Sequence, residues 1–280
     1  MYTGGAGGYS FYVRKSEQII RQRKNNSNYG ESASRTYPQM LRRVMWSNLV
    51  NFYKANAFWM PKAFELRKKN QTDYNRFMQL NINENTYAFT KDEALAGACI
   101  PGVFTVSEGS LLPITYNNAS ATPYELRINL TNSWDQGGFL SALSQDIIDS
   151  NNGRFQNGDN LALVLIKCSY VNEIPKIEVK YQEMTLDTSA TETDLADIDF
   201  FTSFEWANRK MVMPDDVYPS MYSAFVVIHT RKEGGKLLTS TQELIVPDTR
   251  YENYASPAHI EEAILSYGVD ARVLLDPGAV

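Results

Sequence analysis

The chain has 280 residues, of which 43% are hydrophobic and 12% aromatic. This composition supports a folded core and excludes a disordered protein, and the length suffices for one large domain or two ordinary ones. The net charge of −5 hides an asymmetry: residues 1–70 carry 13 Lys and Arg against 3 Asp and Glu, whereas residues 71–280 carry 14 against 29. We therefore expect the basic end to meet an acidic partner, either nucleic acid or the acidic body of a neighbouring copy.

The sequence gives no support for a membrane protein, an exported protein or a metalloprotein. No apolar run approaches the roughly 20 residues needed to cross a bilayer. Residues 1–20 lack the apolar stretch of a signal peptide, so we expect neither Sec export nor membrane association. Cys99 and Cys168 are the only cysteines, and with His229 and His259 they make neither a disulfide framework nor a zinc site, which predicts two thiols that are buried or without a role.

Residues 1–36 are predicted to form a flexible arm with a basic hairpin. Residues 1–8 contain four glycines and no anchor, which predicts mobility unless a partner holds them. The segments Tyr9–Arg14 and Gln18–Arg23 alternate in polarity and are rich in aromatic and β-branched residues, as strands are. An isolated two-stranded ribbon is marginally stable in water, so this hairpin needs something to pack on.

Residues 37–97 are predicted to be a helical segment. Thr36 is a plausible N-cap, and Pro38 falls in the first turn, where proline is tolerated. Asn48 and Asn51 fall off the apolar stripe, Pro61 should end the helix, and residues 61–81 predict one or two more helical turns. The apolar stripe itself consists of Leu41, Val44, Met45, Leu49, Phe52 and Tyr53.

Residues 98–250 are predicted to form a β-sandwich domain, followed by a tail, residues 251–280, with a short helix around Ile260–Tyr267. The apolar run Asp159–Cys168 predicts a central strand, and residues 138–150 predict a short helix. Residues 187–199 are polar and acidic and predict a surface loop. The other predicted strands are Val103–Val106, Leu111–Tyr116, Tyr124–Leu130, Ile177–Leu186, and the hairpin of Tyr222–Thr230 with Lys236–Val246. The fold class is thus α+β, an N-terminal β-hairpin and helical segment before a mainly antiparallel immunoglobulin-like β-sandwich.

No arrangement of residues predicts an enzyme or a cofactor. Two histidines leave little room for acid–base chemistry, and His229 lies in the middle of a strand, where a hydrogen-bonded core histidine is the ordinary interpretation. His259 follows a proline at a helix start, where capping or exposure is ordinary. The acidic string from Glu192 to Asp199 lacks the spacing of a calcium loop, which favours a solvated loop.

The basic end supplies the candidate contact residues. They are interpreted either as a solvated basic face, as a contact between subunits, or as a contact with nucleic-acid phosphates. A hairpin with unpaired edges and a flexible arm is suited to adding strands to a neighbour. The candidates are Tyr9, Phe11, Tyr12, Arg14, Lys15, Arg21, Arg23, Lys24, Arg42 and Arg43.

The order of these segments resembles a group of structural proteins from Bacteroidota and Bacteroides phages. Members share a glycine-containing start, a hairpin whose second strand reads Q-x-x-R-x-R, a polar loop, a helix with scattered Gln and Arg, and a (V/I)-S-x-G-S-L strand before sandwich domains. Here these are Gly7-Gly8, Gln18 with Arg21 and Arg23, the helix after Pro38, and Val106–Leu111. The chain departs from the pattern in residues 187–221 and 251–280.

The resemblance, together with the Asn- and Tyr-rich style of crAss-like phages, implies a virion protein, assembled in the bacterial cytoplasm. It implies a homo-oligomeric ring in the neck or tail, a head-to-tail connector that contacts portal or tail subunits. The alternatives are a protein that decorates the capsid or anchors head fibres, and a DNA-binding protein that uses the basic end. A carbohydrate-binding sandwich is favoured only by Trp134, Trp206 and the many tyrosines.

Overall fold

The computed structural model describes residues 4–6, 9–14, 17–22, 36–117, 124–134, 137–202, 205–207, 210–213, 222–246, 250–269 and 271–275. Its contacts divide the chain into two compact units. The first is made of Met1–Met40 with Val269–Val280, and the second of Leu41–Gly268. The four-segment organisation predicted from the sequence stays a prediction.

Helices and strands alternate along the chain, which gives a mixed fold with antiparallel sheets. The described helices are α1 (Tyr37–Asn56), α2 (Asp73–Asn81), α3 (Lys91–Leu95), α4 (Leu140–Ser150), α5 (Asp199–Thr202), α6 (Pro257–Ser266) and α7 (Arg272–Leu275). The described strands are β1 (Gly4–Ala6), β2 (Tyr9–Arg14), β3 (Glu17–Gln22), β4 (Thr105–Ser107), β5 (Tyr116–Asn117), β6 (Tyr124–Asn129), β7 (Asn160–Val171), β8 (Ile174–Thr185), β9 (Glu205–Ala207), β10 (Lys210–Met213), β11 (Ala224–Glu233), β12 (Lys236–Thr239) and β13 (Gln242–Glu243).

The first unit contains a three-stranded antiparallel sheet in the order β1-β2-β3. The predicted hairpin is confirmed, with Phe11 opposite Ile20 and Arg14 opposite Glu17. The prediction for the glycine-rich leader needs correction, because Gly4–Ala6 forms a strand that pairs with β2. Short glycine-rich segments carry little strand propensity, so pairing with an existing strand is what gives this segment its conformation.

The predicted helical segment is confirmed by α1, α2 and α3, and local capping explains where they begin. The Thr36 backbone N–H donates to Gln39 Oε1 at 3.3 Å, one half of a capping box. Thr72 Oγ1 accepts from the Asn75 N–H at 3.2 Å, and Thr90 with Glu93 forms a complete capping box. Each cap satisfies backbone donors that a helix start leaves unpaired.

The second unit is built on a central antiparallel sheet in the order β12-β11-β7-β8. The prediction of a central strand is confirmed, since β7 lies between β11 and β8 and six consecutive residues, Leu161 to Ile166, are buried. A second sheet has the order β5-β6-β10-β9, and β4 pairs with β13. The apolar composition of β7 follows from burial of both its faces.

Alternate residues of β7 contribute to two separate cores. Leu161, Leu163 and Leu165 pack with residues of β6 and α4, including Ile128 and Leu143. The intervening residues of β7, Ala162, Val164 and Ile166, pack with the helical segment in a cluster that also contains Leu49, Phe52, Phe77 and Phe104. The central sheet is therefore covered by the second sheet and α4 on one face and by helices on the other.

Buried asparagines tie the helical segment together, contrary to the expectation that Asn48 lies off the core face. Asn48 is fully buried. Its Nδ2 donates to Asn85 Oδ1 at 2.9 Å and to the Ile100 carbonyl at 3.0 Å, and its Oδ1 accepts from the Ile100 N–H. Because every polar atom of this side chain has a partner, burial costs little.

Three other predictions need correction. Of the predicted strand Leu111–Tyr116, only Tyr116 lies in a strand, and Leu111 forms an isolated bridge with Ser240. Within the predicted loop 187–199, Leu195–Asp197 forms a 3-10 helix and Phe139 forms an isolated bridge with Asp194. The strands β9 and β10 follow where no strand was predicted. Short strands carry too few residues for alternation to be recognised.

Candidate functional site

Seven of the ten predicted contact residues are described by the structure, and they lie on three elements. Tyr9, Phe11, Tyr12 and Arg14 lie on β2, and Arg21 lies on β3. Lys15, Arg23 and Lys24 lie outside the described residues. The structure thus brings five of the ten into one hairpin, and Arg42 and Arg43 lie on α1.

The β3 strand presents an apolar side chain to solvent. β3 stands at the edge of its sheet, with β2 on one side. Ile20 in the middle of this strand is 61% exposed, and Glu17 and Gln18 are also exposed. An exposed isoleucine on an edge strand is a feature that soluble proteins usually avoid, because such an edge can pair with another chain.

Arg42 and Arg43 are both exposed on α1. The Arg43 guanidinium carbon lies 5.6 Å from the centroid of the Tyr267 ring, within the range of a cation–π contact. Arg43 therefore contacts Tyr267 within the second unit, and its role as a contact residue between copies stays a prediction.

An acidic surface lies where α3 and α6 meet, formed by Asp92, Glu261 and Glu262 around a shallow depression. Leu265, 39% exposed, also lines the depression, and Leu95, 78% exposed, lies on α3 three positions after Asp92. The three carboxylates are exposed, and one lysine, Lys91, lies beside Asp92 in the chain and is exposed as well. We call Asp92, Leu95, Glu261, Glu262 and Leu265 the acidic surface.

The Val106–Leu111 motif forms a structural junction. Arg76 Nε donates to Glu108 Oε2 at 2.7 Å, and its Nη2 donates to Oε1 at 2.5 Å, a bidentate pair. Ser107 Oγ donates to the Ser240 carbonyl at 2.7 Å. Glu65 accepts from the N–H and hydroxyl groups of Ser110. The motif thus joins α2, the segment after α1 and the end of β12.

The glycine of this motif is required by its neighbours. A Cβ atom on Gly109 would lie 2.2 Å from the Thr239 carbonyl oxygen and 2.6 Å from Glu65 Oε2. The Thr239 N–H also donates to Glu65 Oε2 at 3.0 Å, which fixes that carboxylate in place. Only glycine leaves room for this backbone approach.

A buried carboxylate links β7 to β11. Asp159 is 1% exposed and accepts from Arg231 through Nε and Nη2, both at 2.7 Å. His229 Nε2 lies 2.8 Å from Asp159 Oδ2, and the Gln156 N–H donates to the same oxygen at 2.8 Å. Burial raises the pKa of Asp159, but the hydrogen bonds from Arg231, His229 and Gln156 outweigh it and lower the pKa to about 2.

The prediction of a hydrogen-bonded core histidine is confirmed for His229, which is 1% exposed. Its Nδ1 is buried and has no hydrogen-bond partner among the described residues. Its ring packs against Phe155, with 4.9 Å between the ring centroids. Since the carboxylate can only accept, Nε2 carries the proton and donates it. Cys99 and Cys168 are buried, as predicted, and neither takes part in a disulfide.

A cleft of about 420 Å³ opens over the end of the central sheet, on the face that the helices cover elsewhere. Its wall is formed by the segment that follows α1, and its floor by four strands. We call this the sheet cleft. The residues that line it include Trp59, Lys62, Asn160, Tyr181, Glu183, Thr185, Thr230, Lys232 and Thr239.

The sequence contained a partial signal for the sheet cleft. The apolar run of β7 begins with the polar Asn160, and the apolar run of β11 ends with the polar Thr230, which lie opposite each other. This change of polarity marks where the helical cover ends. Trp59 carries no local signal, since it reaches the cleft only because the chain turns back over the sheet after α1.

Three comparisons of this chain with known proteins found no match. Neither the protein-family models, nor the curated proteins, nor the solved structures contain a match to it. Within the described ranges, none of the helices has the length and apolar character to span a membrane. Among those same residues, no group of three or more His, Cys, Asp or Glu side chains is arranged to hold a metal ion.

Proposed function

We propose that the protein is a non-enzymatic structural subunit of a bacteriophage virion, which forms a ring in the neck or tail. Residues 1–36 of one copy contact the body of the next copy. The resemblance in sequence order supports this proposal, and so does one observation in the structure, the exposed Ile20 on the edge strand β3. An edge strand can add to a neighbouring chain through its backbone groups, and an exposed apolar side chain gains by burial there.

The proposed acceptor is the acidic surface of the neighbouring copy. Residues 1–70 have a net charge of +10, from 13 basic and 3 acidic residues, and residues 71–280 have −15, from 14 basic and 29 acidic residues. The acidic surface offers three carboxylates to this basic end, and Leu95 and Leu265 offer apolar area to Ile20. Complementary charge steers such an encounter and fixes its register.

A contact between two different surfaces is heterologous, and it closes into a ring when the rotation between copies allows it. For the body of the ring we propose an immunoglobulin-like sandwich. This is supported by the packing of Leu126 and Ile128 from β6 against Leu163, Leu165 and Phe225 of the central sheet. Two sheets packed face to face share a core in this way.

The test is a charge reversal of the acceptor followed by a compensating reversal of the arm. Glu261→Lys with Glu262→Lys should abolish oligomers in mass photometry at low salt, because the basic arm then meets like charge. Adding Arg21→Glu and Lys24→Glu should restore them. The matched control, Glu178→Lys with Glu192→Lys, changes two exposed carboxylates elsewhere and should leave assembly unchanged.

The proposal fails if the acceptor variant assembles as the unmodified protein does. It also fails if the unmodified protein is monomeric but binds duplex DNA with an affinity that falls steeply with salt, since that result favours the DNA-binding alternative. The position of the protein on the virus particle, at the neck or tail or on the capsid surface, distinguishes the proposed ring subunit from a capsid-decorating or fibre-anchoring protein.

A further inference from the structure

We propose that the sheet cleft binds a short, uncharged saccharide. The proposal does not depend on the proposed role in a virion, because it rests only on the second unit. A volume of about 420 Å³ falls in the range of small-molecule sites. Three features of the cleft, its floor, its wall and its charge, select the class of ligand.

The floor carries a row of short polar side chains that crosses four strands. The register sets Thr185 opposite Asn160, Asn160 opposite Thr230, and Thr230 opposite Thr239. Paired residues of an antiparallel sheet lie on the same face, so these four form one row, in which Thr185, Asn160 and Thr230 are exposed or half-buried and Thr239 closes the end as a buried residue. Hydroxyl and amide groups both donate and accept hydrogen bonds, which is what the hydroxyl groups of a sugar require.

The wall meets the floor in an aromatic contact between Trp59 of the wall and Tyr181 of β8. The rings of Trp59 and Tyr181 are stacked, with 6.3 Å between centroids and 17° between planes. Trp59 Nε1 donates to Asn56 Oδ1 at 2.8 Å, and Asn56 is itself buried and bonded to the Phe52 carbonyl. Phe58, which is 63% exposed, makes a T-shaped contact with Tyr181, with 6.0 Å between the ring centroids. Trp59 is half-buried and lines the cleft, so its indole supplies apolar area for the C–H side of a pyranose ring at a reduced ordering cost.

The backbone at this wall is unusual. Lys62 has φ +76°, a left-handed conformation that is uncommon for a residue with a Cβ atom. Strained residues of this kind concentrate at binding sites.

The charges of the cleft argue against an ionic ligand. Glu183 accepts from the Tyr181 hydroxyl at 3.0 Å, and Lys62 and Lys232 lie among the other lining residues. Burial and then the Glu183 carboxylate raise the pKa of Tyr181, so the phenol stays a neutral donor. Both signs of charge are present, while the row on the floor is uncharged. A solvated sheet end would account for the polar row but not for the stacked pair at its edge.

Saturation-transfer NMR and calorimetry on the full chain test this proposal with four disaccharides, maltose, cellobiose, lactose and N,N′-diacetylchitobiose. At least one should bind saturably below ~10 mM, the weak range that a shallow site reaches. Trp59→Ala should weaken that binding by about tenfold or more, the equivalent of one lost stacking contact. Thr230→Val, which keeps the side-chain shape, should also weaken it by removing one hydroxyl.

The matched control is Trp46→Ala, which removes a 42% exposed tryptophan on α1 that does not line the cleft, and it should bind as the unmodified protein does. Circular dichroism establishes that each variant is folded. The proposal is overturned if no disaccharide binds saturably, if Trp59→Ala and Trp46→Ala bind equally well, or if a trialanine peptide binds as tightly as the best sugar.

Discussion

Two antiparallel hairpins of this chain, β2–β3 and β7–β8, have different apolar patterns and different surroundings. In β2–β3 the strands have six residues each, and the exposed Ile20 lies on an edge strand. In β7–β8 the strands have 12 residues each, and β7 is buried on both faces. Alternation predicts β2 and β3, and a continuous apolar run predicts β7, but the cover over each face decides whether a hairpin is core or contact surface.

The buried end of the second hairpin is where substitution should have the largest effect. Asp159→Ala leaves the Arg231 guanidinium and the His229 N–H without their carboxylate. We expect the free energy of unfolding to fall by roughly 3–5 kcal/mol in urea denaturation. Asp149→Ala, at an exposed position of α4, is the control and should change it by less than about 0.5 kcal/mol. Equal effects of the two variants would contradict this account of the buried carboxylate.

The junction that holds the edge strand β12 should be the next most sensitive feature. Gly109→Ala forces a methyl group against the Thr239 carbonyl and Glu65, so we expect a loss of roughly 2–3 kcal/mol in thermal unfolding. Gly153→Ala is the comparison, because its Cβ would meet open space and only its φ of +75° opposes alanine, which costs about 1 kcal/mol. If Gly109→Ala costs no more than Gly153→Ala, the close approach at Gly109 is not what requires glycine.

Low pH should lower the free energy of unfolding of the second unit, because a carboxylate on α4, that of Asp146, becomes protonated. Burial raises the pKa of Asp146, but hydrogen bonds from the Thr131 and Asn132 amides, Trp134 and Ser150 lower it to about 2. A lowered pKa means that the stabilisation is complete above the ordinary pKa near 4 and is lost as the pH falls towards 2. We expect this group to contribute on the order of 2 kcal/mol over that window.

The variant Asp146→Asn tests the assignment, since it cannot lose a charge. Its free energy of unfolding should be lower than that of the unmodified protein at pH 6 and should fall less between pH ~4 and ~2. Parallel pH profiles for the two proteins would show that the acid sensitivity lies elsewhere.

The smallest expected effect is at the turn of the β7–β8 hairpin. Asn172 has φ +52° and Glu173 has φ +66°, the left-handed pair of a type I′ turn. Glutamate is poorly suited to this conformation, so Glu173→Gly should raise stability by about 0.5–1 kcal/mol in thermal unfolding. Asn172→Gly should change the stability little, because asparagine tolerates this conformation. A loss of stability in Glu173→Gly would contradict the turn assignment.

The sequence predicted the structure best where a pattern of apolar residues extends over many positions. The apolar run of β7, the stripe of α1, and the alternation of β2 and β3 each extend over several residues, so periodicity predicts them. The polar residues Asn48 and Asp159 were not recognised as buried, because their burial depends on distant partners, Ile100 and Arg231, that no local pattern reveals.

The same difference separates the two candidate sites, since the basic end was predicted from the sequence and the sheet cleft was not. Charge counting points to the basic end, and the structure adds that β3 is an edge strand. The sheet cleft was not predicted, since Trp59 and Tyr181 lie 122 positions apart in the chain and meet only through the packing of the segment after α1 against β8. The sequence singled out Trp134 and Trp206 as aromatic residues for carbohydrate binding. In the structure, Trp134 Nε1 donates to the buried Asp146 at 2.8 Å, which is a structural role.

The central claim is that residues 1–36 join one copy of the protein to the next. Mass photometry of the full-length protein beside a variant lacking residues 1–24, at low and at high salt, tests it most directly. We expect closed oligomers of the full-length protein that weaken at high salt, and monomers of the shortened variant at both salt concentrations. Oligomers of equal size in both proteins, or monomers in both, would contradict assembly through this segment.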